Sequence, residues 1–224
     1  MNTLITGADG SLGSALAKRL ADDGKILAMS RHTHSKLHIE DFLWNNEQSV
    51  VELDAAVLND GINRLSWIGE TPSSDAEIIE RNVLAPYWTL NELVHLRGRQ
   101  NPMRVVFVTS QTYRVPQRTT SLYCASKAAA TMLMRVAARE LAPHGWVINA
   151  VAPGKIVDTR MSELTDQQVC ELRGWDQAEA DGYAKKLIPA GRFTTTAEVA
   201  EAIRDTLHAV SYMNGSVIEL FGGV

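Results

Sequence analysis

"TLITGADGSLGSALAKRL", Thr3–Leu20, sets two structural periods back to back. Thr3 to Thr6 is a short apolar run of the kind buried in a strand. From Ser11 onward leucines recur at every fourth position (Leu12, Leu16, Leu20), which predicts a helix from about Ser11 to Asp23 with one apolar face. Between them lies a turn with Gly7, Gly10 and Gly13 spaced three apart. A tight strand-to-helix turn needs positive φ, which glycine adopts without a Cβ penalty. Missing side chains also let a diphosphate reach backbone N–H groups where the helix dipole favours negative charge. Strand, glycine turn and helix in this order form a dinucleotide-binding pattern, and Gly7, Asp9, Gly10, Ser11, Leu12 and Gly13 are its candidate cofactor contacts. The other reading is a tight connection with no ligand.

The alternation continues along the chain. "KILAMS", "LHIED" (weakly), "LDAAVLN", "RVVFVTS", "WVINAVAPG" and "GSVIELF" read as further strands. A long helix fits Ser73 to Leu96, kinked at Pro86. Another fits Ser121 to Ala142, ended by Pro143 and Gly145. Ser162 to Lys186 reads as helical and partly irregular, and Thr196 to Val210 as a last helix. Few residues separate the second and third strands, so a helix between them is expected to be missing or a single turn. Strand–helix alternation predicts an α/β fold: a Rossmann-type, doubly wound parallel sheet in a single domain over residues 1–224. Ligands of such sheets bind beyond the carboxyl ends of the strands, so the residues just after strands carry the functional questions.

Composition narrows the function classes. The chain has 224 residues, 45% hydrophobic and 21% charged, with a formal net charge of -4. No basic stripe points to nucleic acid, and no polybasic or long apolar run points to a membrane. "MNTLITGADG" lacks the charge-then-apolar pattern of a signal peptide, so a cytoplasmic protein is expected. Cys124 and Cys170 are too few for a disulfide framework or a zinc site. His32, His34 and His38 have no carboxylate or cysteine spaced to complete a metal site, and a solvated loop is the plainer reading.

After the second strand stand Ser30 and Arg31, where NAD sites place an acidic residue against the ribose hydroxyls. An arginine there accommodates a 2′-phosphate, so NADP(H) is favoured over NAD(H), which stays possible; the alternative is an exposed surface arginine. "SLYCASKAAA", Ser121–Ala130, sets Tyr123 and Lys127 one helical turn apart on one face. A surface tyrosine with a lysine stem along it satisfies that spacing. So does a tuned acid–base pair. Lowering a phenol from about 10 to about 7 takes roughly 4 kcal/mol, and an ammonium about 4 Å away supplies on the order of 4 kcal/mol at an effective dielectric near 20.

Several stretches coincide with one pattern. "TGADGSLG", "LNDGI", "RNV", Ser110 after "RVVFVTS", "YCASK", "INAVAPG", "IPAGRF" and "GSVIELFGG" occur in that order. In this the chain resembles the short-chain dehydrogenase/reductase family over essentially its full length. The resemblance implies Tyr123 as proton donor or acceptor, Lys127 as its partner, Ser110 polarising the substrate oxygen and Asn82 holding a proton-relay water. It implies cofactor contacts from Asp41, Asn59, Gly61, Pro153 and Gly154, with Ile156 at the nicotinamide carboxamide and Thr159 at the phosphates. Tyr123 and Lys127 also count among these contacts. It further implies a mobile lid over about residues 160–190, with Met161, Leu164, Val169, Leu172 and Trp175 as a candidate inner face. Core packing of a helix pair explains those residues equally. Gln111, Tyr113 and Val115 are candidate pocket residues. Dimers or tetramers are implied through the Asn82 and Tyr123 helices.

The pattern is departed from in places. The glycine spacing resembles the longer, sugar-nucleotide-modifying branch, because the single-domain branch has its middle glycine where Ser11 stands. "LNDGI" replaces Asn-Asn-Ala-Gly, and "PGKIVDTRM" holds one residue more than usual before its threonine. The expected function is NADP(H)-dependent interconversion of a small or medium carbonyl compound and its alcohol. The alternatives are a non-enzymatic dinucleotide sensor or scaffold, and a sugar-nucleotide reductase or epimerase.

Overall fold

The computed structural model describes residues 1–70 and 75–224. Six parallel strands form one sheet in the order β2-β1-β3-β4-β5-β6. They are β1 (Thr3–Thr6), β2 (Ile26–Met29), β3 (Ala55–Leu58), β4 (Arg104–Val108), β5 (Val147–Pro153) and β6 (Val217–Leu220). The central strands β1, β3 and β5 are buried along their whole lengths, as continuous apolar runs between two helical layers must be.

One face of the sheet packs on α1 (Ser11–Leu20) and α9 (Thr196–His208), joining Leu16 and Leu20 to Ile5, Val199, Ile203 and Leu207. The other face packs on α2 (Lys36–Asn45), α5 (Ala85–Arg97) and α6 (Ser121–Leu141), with Leu43, Leu93, Met134 and Trp146 at its centre. The chain passes from β1 outward to β2, then returns to place β3 on the other side of β1. The strand order therefore reverses between β1 and β3, and a ligand crevice opens there.

Two expectations from sequence fail between β2 and β3. "LHIED" is not a strand, and the helix thought missing is present: Leu37 to Asp41 lies inside α2. The alternation of Leu37 and Ile39 covers too few residues to decide. Ile39 and Leu43, four apart, are both buried, while Leu37 is exposed. The Ser35 hydroxyl accepts the His38 N–H at 3.4 Å and starts the helix. A short α3 (Glu47–Val51) follows. Among the described residues the sheet thus has six strands rather than seven, with β2 at its edge.

The long helix expected over Ser73–Leu96 is divided; Ser73 and Ser74 lie outside the described residues. It runs as α4 (Asp75–Ile79), a π-helical turn (Glu80–Leu84) and α5. Pro86 falls just after the junction of the π-helical turn and α5. It stands in the first turn of α5, where a missing N–H costs nothing, and the register slips in the turn before it. The Asn82 carbonyl, four residues before Pro86, then has no α-helical donor to cap it. Beyond β5, α7 (Arg160–Arg173) and α8 (Gln177–Lys186) form the region read as helical from sequence. No helix among the described residues is long and apolar enough to cross a membrane.

Candidate active site

A cleft of about 400 Å³ opens at the carboxyl ends of β1, β3, β4 and β5. Its walls include Gly7, Gly10–Gly13 and Arg31 at one end, Asn59–Gly61 in the middle, and Ser110, Tyr123 and Lys127 at the other. Pro153, Gly154, Ile156 and Thr159 close one side, and Met161 and Leu164 of α7 overhang it.

The glycine turn is built for close approach. A Cβ on Gly13 would lie 2.0 Å from the Gly7 carbonyl oxygen and 2.8 Å from the Ala8 Cα, so α1 can start this close to β1 only at a glycine. Gly7 takes φ +63. Gly13→Ala should therefore force the turn open. Overpacking of this kind costs about 1–3 kcal/mol, which lowers the melting temperature of a chain this size by about 2–12 °C. Thermal unfolding followed by circular dichroism reads this, and an unchanged midpoint would show that the turn has slack.

The far end is set by a strand and a helix. Ser110 follows β4, and its hydroxyl oxygen accepts the Thr112 N–H at 3.3 Å, which orients the hydroxyl hydrogen away from that bond. Tyr123 and Lys127 stand on the same face of α6, both buried. Lys127 Nζ donates to the Val108 carbonyl at 3.2 Å and lies 5.7 Å from the centre of the Tyr123 ring. A surface tyrosine–lysine pair is thereby excluded. Burial pushes the Tyr123 phenol up to about 12, against a smaller downward pull from the Ser110 hydroxyl. Burial also brings the Lys127 ammonium down to about 8, with the Asp60 carboxylate opposing it. The expectation of a phenol lowered by its lysine is thus not met in the protein by itself: desolvation dominates and raises it.

Asn82 is buried, not an exposed helical asparagine. Its Oδ1 accepts the Ile62 N–H at 2.8 Å, and its Nδ2 donates to the Ile62 carbonyl and the Ser126 hydroxyl, each at 2.9 Å. The side chain is committed to holding the loop after β3 against α6. Any water relay from Asn82 falls to its main-chain carbonyl. A Cβ on Gly61 would lie 3.0 Å from Asn82 Oδ1 and 3.2 Å from Lys127 Nζ, so a side chain there would crowd both.

Comparison with known proteins agrees with this fold. The family model for short chain dehydrogenases matches residues 33–169. The chain belongs to the short chain dehydrogenase family. It is 27% identical to the uncharacterized oxidoreductase YmfI of Bacillus subtilis, over 98% of this chain and 97% of that one. It is also 27% identical to the 3-oxoacyl-[acyl-carrier-protein] reductase MabA of Mycobacterium avium, over 100% and 89%. Levodione reductase superposes with a TM-score of 0.88 at 23% identity, covering 99% and 96% of the two chains. Actinorhodin polyketide ketoreductase with NADPH superposes with a TM-score of 0.85 at 20% identity, covering 99% and 95%. This short chain dehydrogenase is an NAD(P)-dependent oxidoreductase.

Not every residue singled out from sequence reaches the cleft. Asp41 is a correction: it is exposed on α2, away from the lining, because the strand that was to end on it is a helix. Ser30 and Asp9 are not part of the lining, and they hold Arg31. Asp9 accepts the Ser30 hydroxyl at 3.2 Å and the Arg31 N–H at 2.7 Å, and pairs with Arg31 Nε at 3.4 Å. Gln111 lines the cleft, but Tyr113 does not; its hydroxyl donates to Glu219. Val115, Val169, Leu172 and Trp175 are also outside the lining, and Trp175 packs on Tyr183, with ring centres 5.1 Å apart.

Other lining residues were missed. Asp60 and Arg81 form an ion pair at 2.9 Å, and both border the cleft. The signal was present, since Asp60 stands where the family pattern has alanine. Lys155, in "PGKI", pairs with Asp166 of α7 at 2.7 Å and Asp181 of α8 at 3.3 Å, pinning both helices to the end of β5.

Proposed function

We propose that this short chain dehydrogenase interconverts a small or medium carbonyl compound and its alcohol with NADP(H), using Tyr123, Ser110, Lys127 and Asn82. The observation that carries the reading is the convergence of two donors, Ser110 and Tyr123, with a buried Lys127 at the far end of a cleft that begins at the glycine turn. Bound nicotinamide supplies the hydride for reduction or accepts it for oxidation. The glycine turn and Gly61 fit such a group, because they line the cleft and present bare backbone to it. Thr159 and Ile156 border the same cleft on the β5 side.

The protein's own residues divide the remaining work. Ser110 and Tyr123 donate hydrogen bonds to the carbonyl oxygen, aimed at the alkoxide that develops there. Tyr123 then gives up its proton, and Lys127 replaces it from the Asn82 side through water. Asn82 holds the Ile62 loop beneath Lys127 and so keeps this line in place. A phenol pushed up to about 12 is fully protonated at neutral pH, which suits an acid in the reducing direction. Lys127 must be charged to resupply the proton and loses that charge above about 8. The value of kcat/KM for carbonyl reduction should therefore be level below pH 7 and fall as pH rises through about 8. Stopped-assay rates from pH 6 to 10 check this, and a profile flat across that range would remove Lys127 from the proton path.

Arg31 supports the NADP preference: it borders the cleft beyond β2, where an acidic residue would select NAD. The names of the relatives span several carbonyl substrates, so the substrate reading stays at the class. The half-exposed Tyr87 on α5, with Met132 and Val136 on α6, supports a homodimer or homotetramer through these helices. Unpaired Cys124 and Cys170 fit a reducing, cytoplasmic setting. The deciding experiment pairs NADPH and NADH titrations, read by nicotinamide fluorescence, with a carbonyl panel under NADPH. Selective NADPH binding with turnover supports the reading. Binding without turnover of any carbonyl moves it to a sensor or scaffold.

A further inference from the structure

Arg31 is the residue on which the NADP preference rests, and its main chain is held from both sides. β2 ends at Met29 on the sheet edge, so the residues beyond it have no ladder partner. The Arg31 N–H donates to Asp9 at 2.7 Å. The Arg31 carbonyl accepts from Arg81, whose Nη2 lies 2.9 Å away. Arg81 comes from the π-helical turn before α5, fifty positions along the chain.

Arg81 is itself fixed. Its Nε and Nη2 meet both oxygens of Asp60, at 3.3 and 2.9 Å, and its Nη1 reaches Glu77 at 3.4 Å. The Asp60 and Arg81 side chains are each only 11% exposed. The guanidinium carries five N–H donors, and these contacts with the Arg31 bond occupy four of them. Little is left with which Arg81 could grip a phosphate. Its geometry suits a strut from the β3 end to the β2 end, across the crevice where the strand order reverses.

We propose that Arg81, anchored by Asp60, is a positioning residue that braces the Arg31 main chain and so sets the Arg31 guanidinium for the 2′-phosphate of NADP(H). The inference rests on the NADP reading above. It also accounts for the aspartate in "LNDGI": Asp60 holds the strut in place. Two groups separated by the whole β3 connection thereby act on cofactor choice without touching the phosphate.

The test uses Arg81→Lys. A lysine keeps the charge opposite Asp60 but has no planar fork with which to span to the Arg31 carbonyl as well. Kd for NADPH and NADH is measured by fluorescence titration for the wild type, Arg31→Ala, Arg81→Lys and the double variant, with melting temperatures beside them. Arg81→Lys is expected to weaken NADPH about tenfold, the scale of one well-placed hydrogen bond to a binding group. NADH should change less than about threefold. In the Arg31→Ala background the substitution should add little, since the two act on one contact. Equal weakening of both cofactors, or fully additive effects of Arg31→Ala and Arg81→Lys, would overturn the brace. A wild type that binds NADPH no tighter than NADH would overturn the NADP reading itself, and the brace with it. A wild-type preference that survives Arg81→Lys removes the brace alone.

Discussion

Tyr123→Phe should lower kcat/KM for carbonyl reduction by about 10²–10⁴-fold, the range for removing a positioned general acid. The substitution deletes one hydroxyl and keeps the ring. The ring is buried on α6, where its packing is unchanged, so the fold should persist. NADPH affinity should stay within about twofold, because the turn from Gly7 to Gly13 and Arg31 lie at the other end of the cleft. The hydroxyl matters because its high pKa, about 12, keeps the proton in place until an alkoxide develops beside it. As a base the same phenol is poorly matched. Moving it from about 12 to 7 takes roughly 7 kcal/mol, more than one ammonium supplies across the protein interior. Steady-state kinetics with any active carbonyl substrate read this, and a Phe variant retaining more than half of wild-type turnover would remove Tyr123 from the chemistry.

Ser110→Ala should cost about 10²–10³-fold in kcat, as the loss of one oxyanion donor does. The effect should fall on kcat more than on KM, because the bond strengthens as charge develops on the substrate oxygen. Ser110 has a second, smaller role: its oxygen accepts the Thr112 N–H at the start of a 3₁₀ turn. Losing a capping bond costs about 1 kcal/mol. That structural part would appear as a drop of about 2–4 °C in melting temperature, separate from the kinetic loss. Ser110→Thr keeps both the acceptor and the donor and should recover a substantial share of turnover. Equal kcat in the wild type and the alanine variant would leave Tyr123 as the sole donor to the substrate oxygen.

Much of this protein is legible in the chain. The glycine turn, the apolar runs and the helical spacing of Tyr123 and Lys127 are local patterns with local physical causes, and they sufficed for the fold class, the family resemblance and the far end of the cleft. Local patterning failed where it was short. Over Leu37–Asp41 an alternation of two apolar residues competed with the Ile39–Leu43 pair. The helix won because both members of that pair find the core beneath α2. Asp41 went astray with that strand.

The tertiary structure decided matters that depend on distance in space and on desolvation. Nothing in the spacing of Tyr123 and Lys127 says that both are buried, and burial reverses the expected direction of the phenol's pKa. Nor does the sequence place Arg81 against Asp60 and Arg31, because the three come from the ends of β2 and β3 and from a π-helical turn that meet only when β3 pairs with β1. Periodicity, turn chemistry and motif order act through neighbours in the chain and could be read there. Charge pairing and solvent exclusion act through neighbours in space, and the folded sheet alone created them.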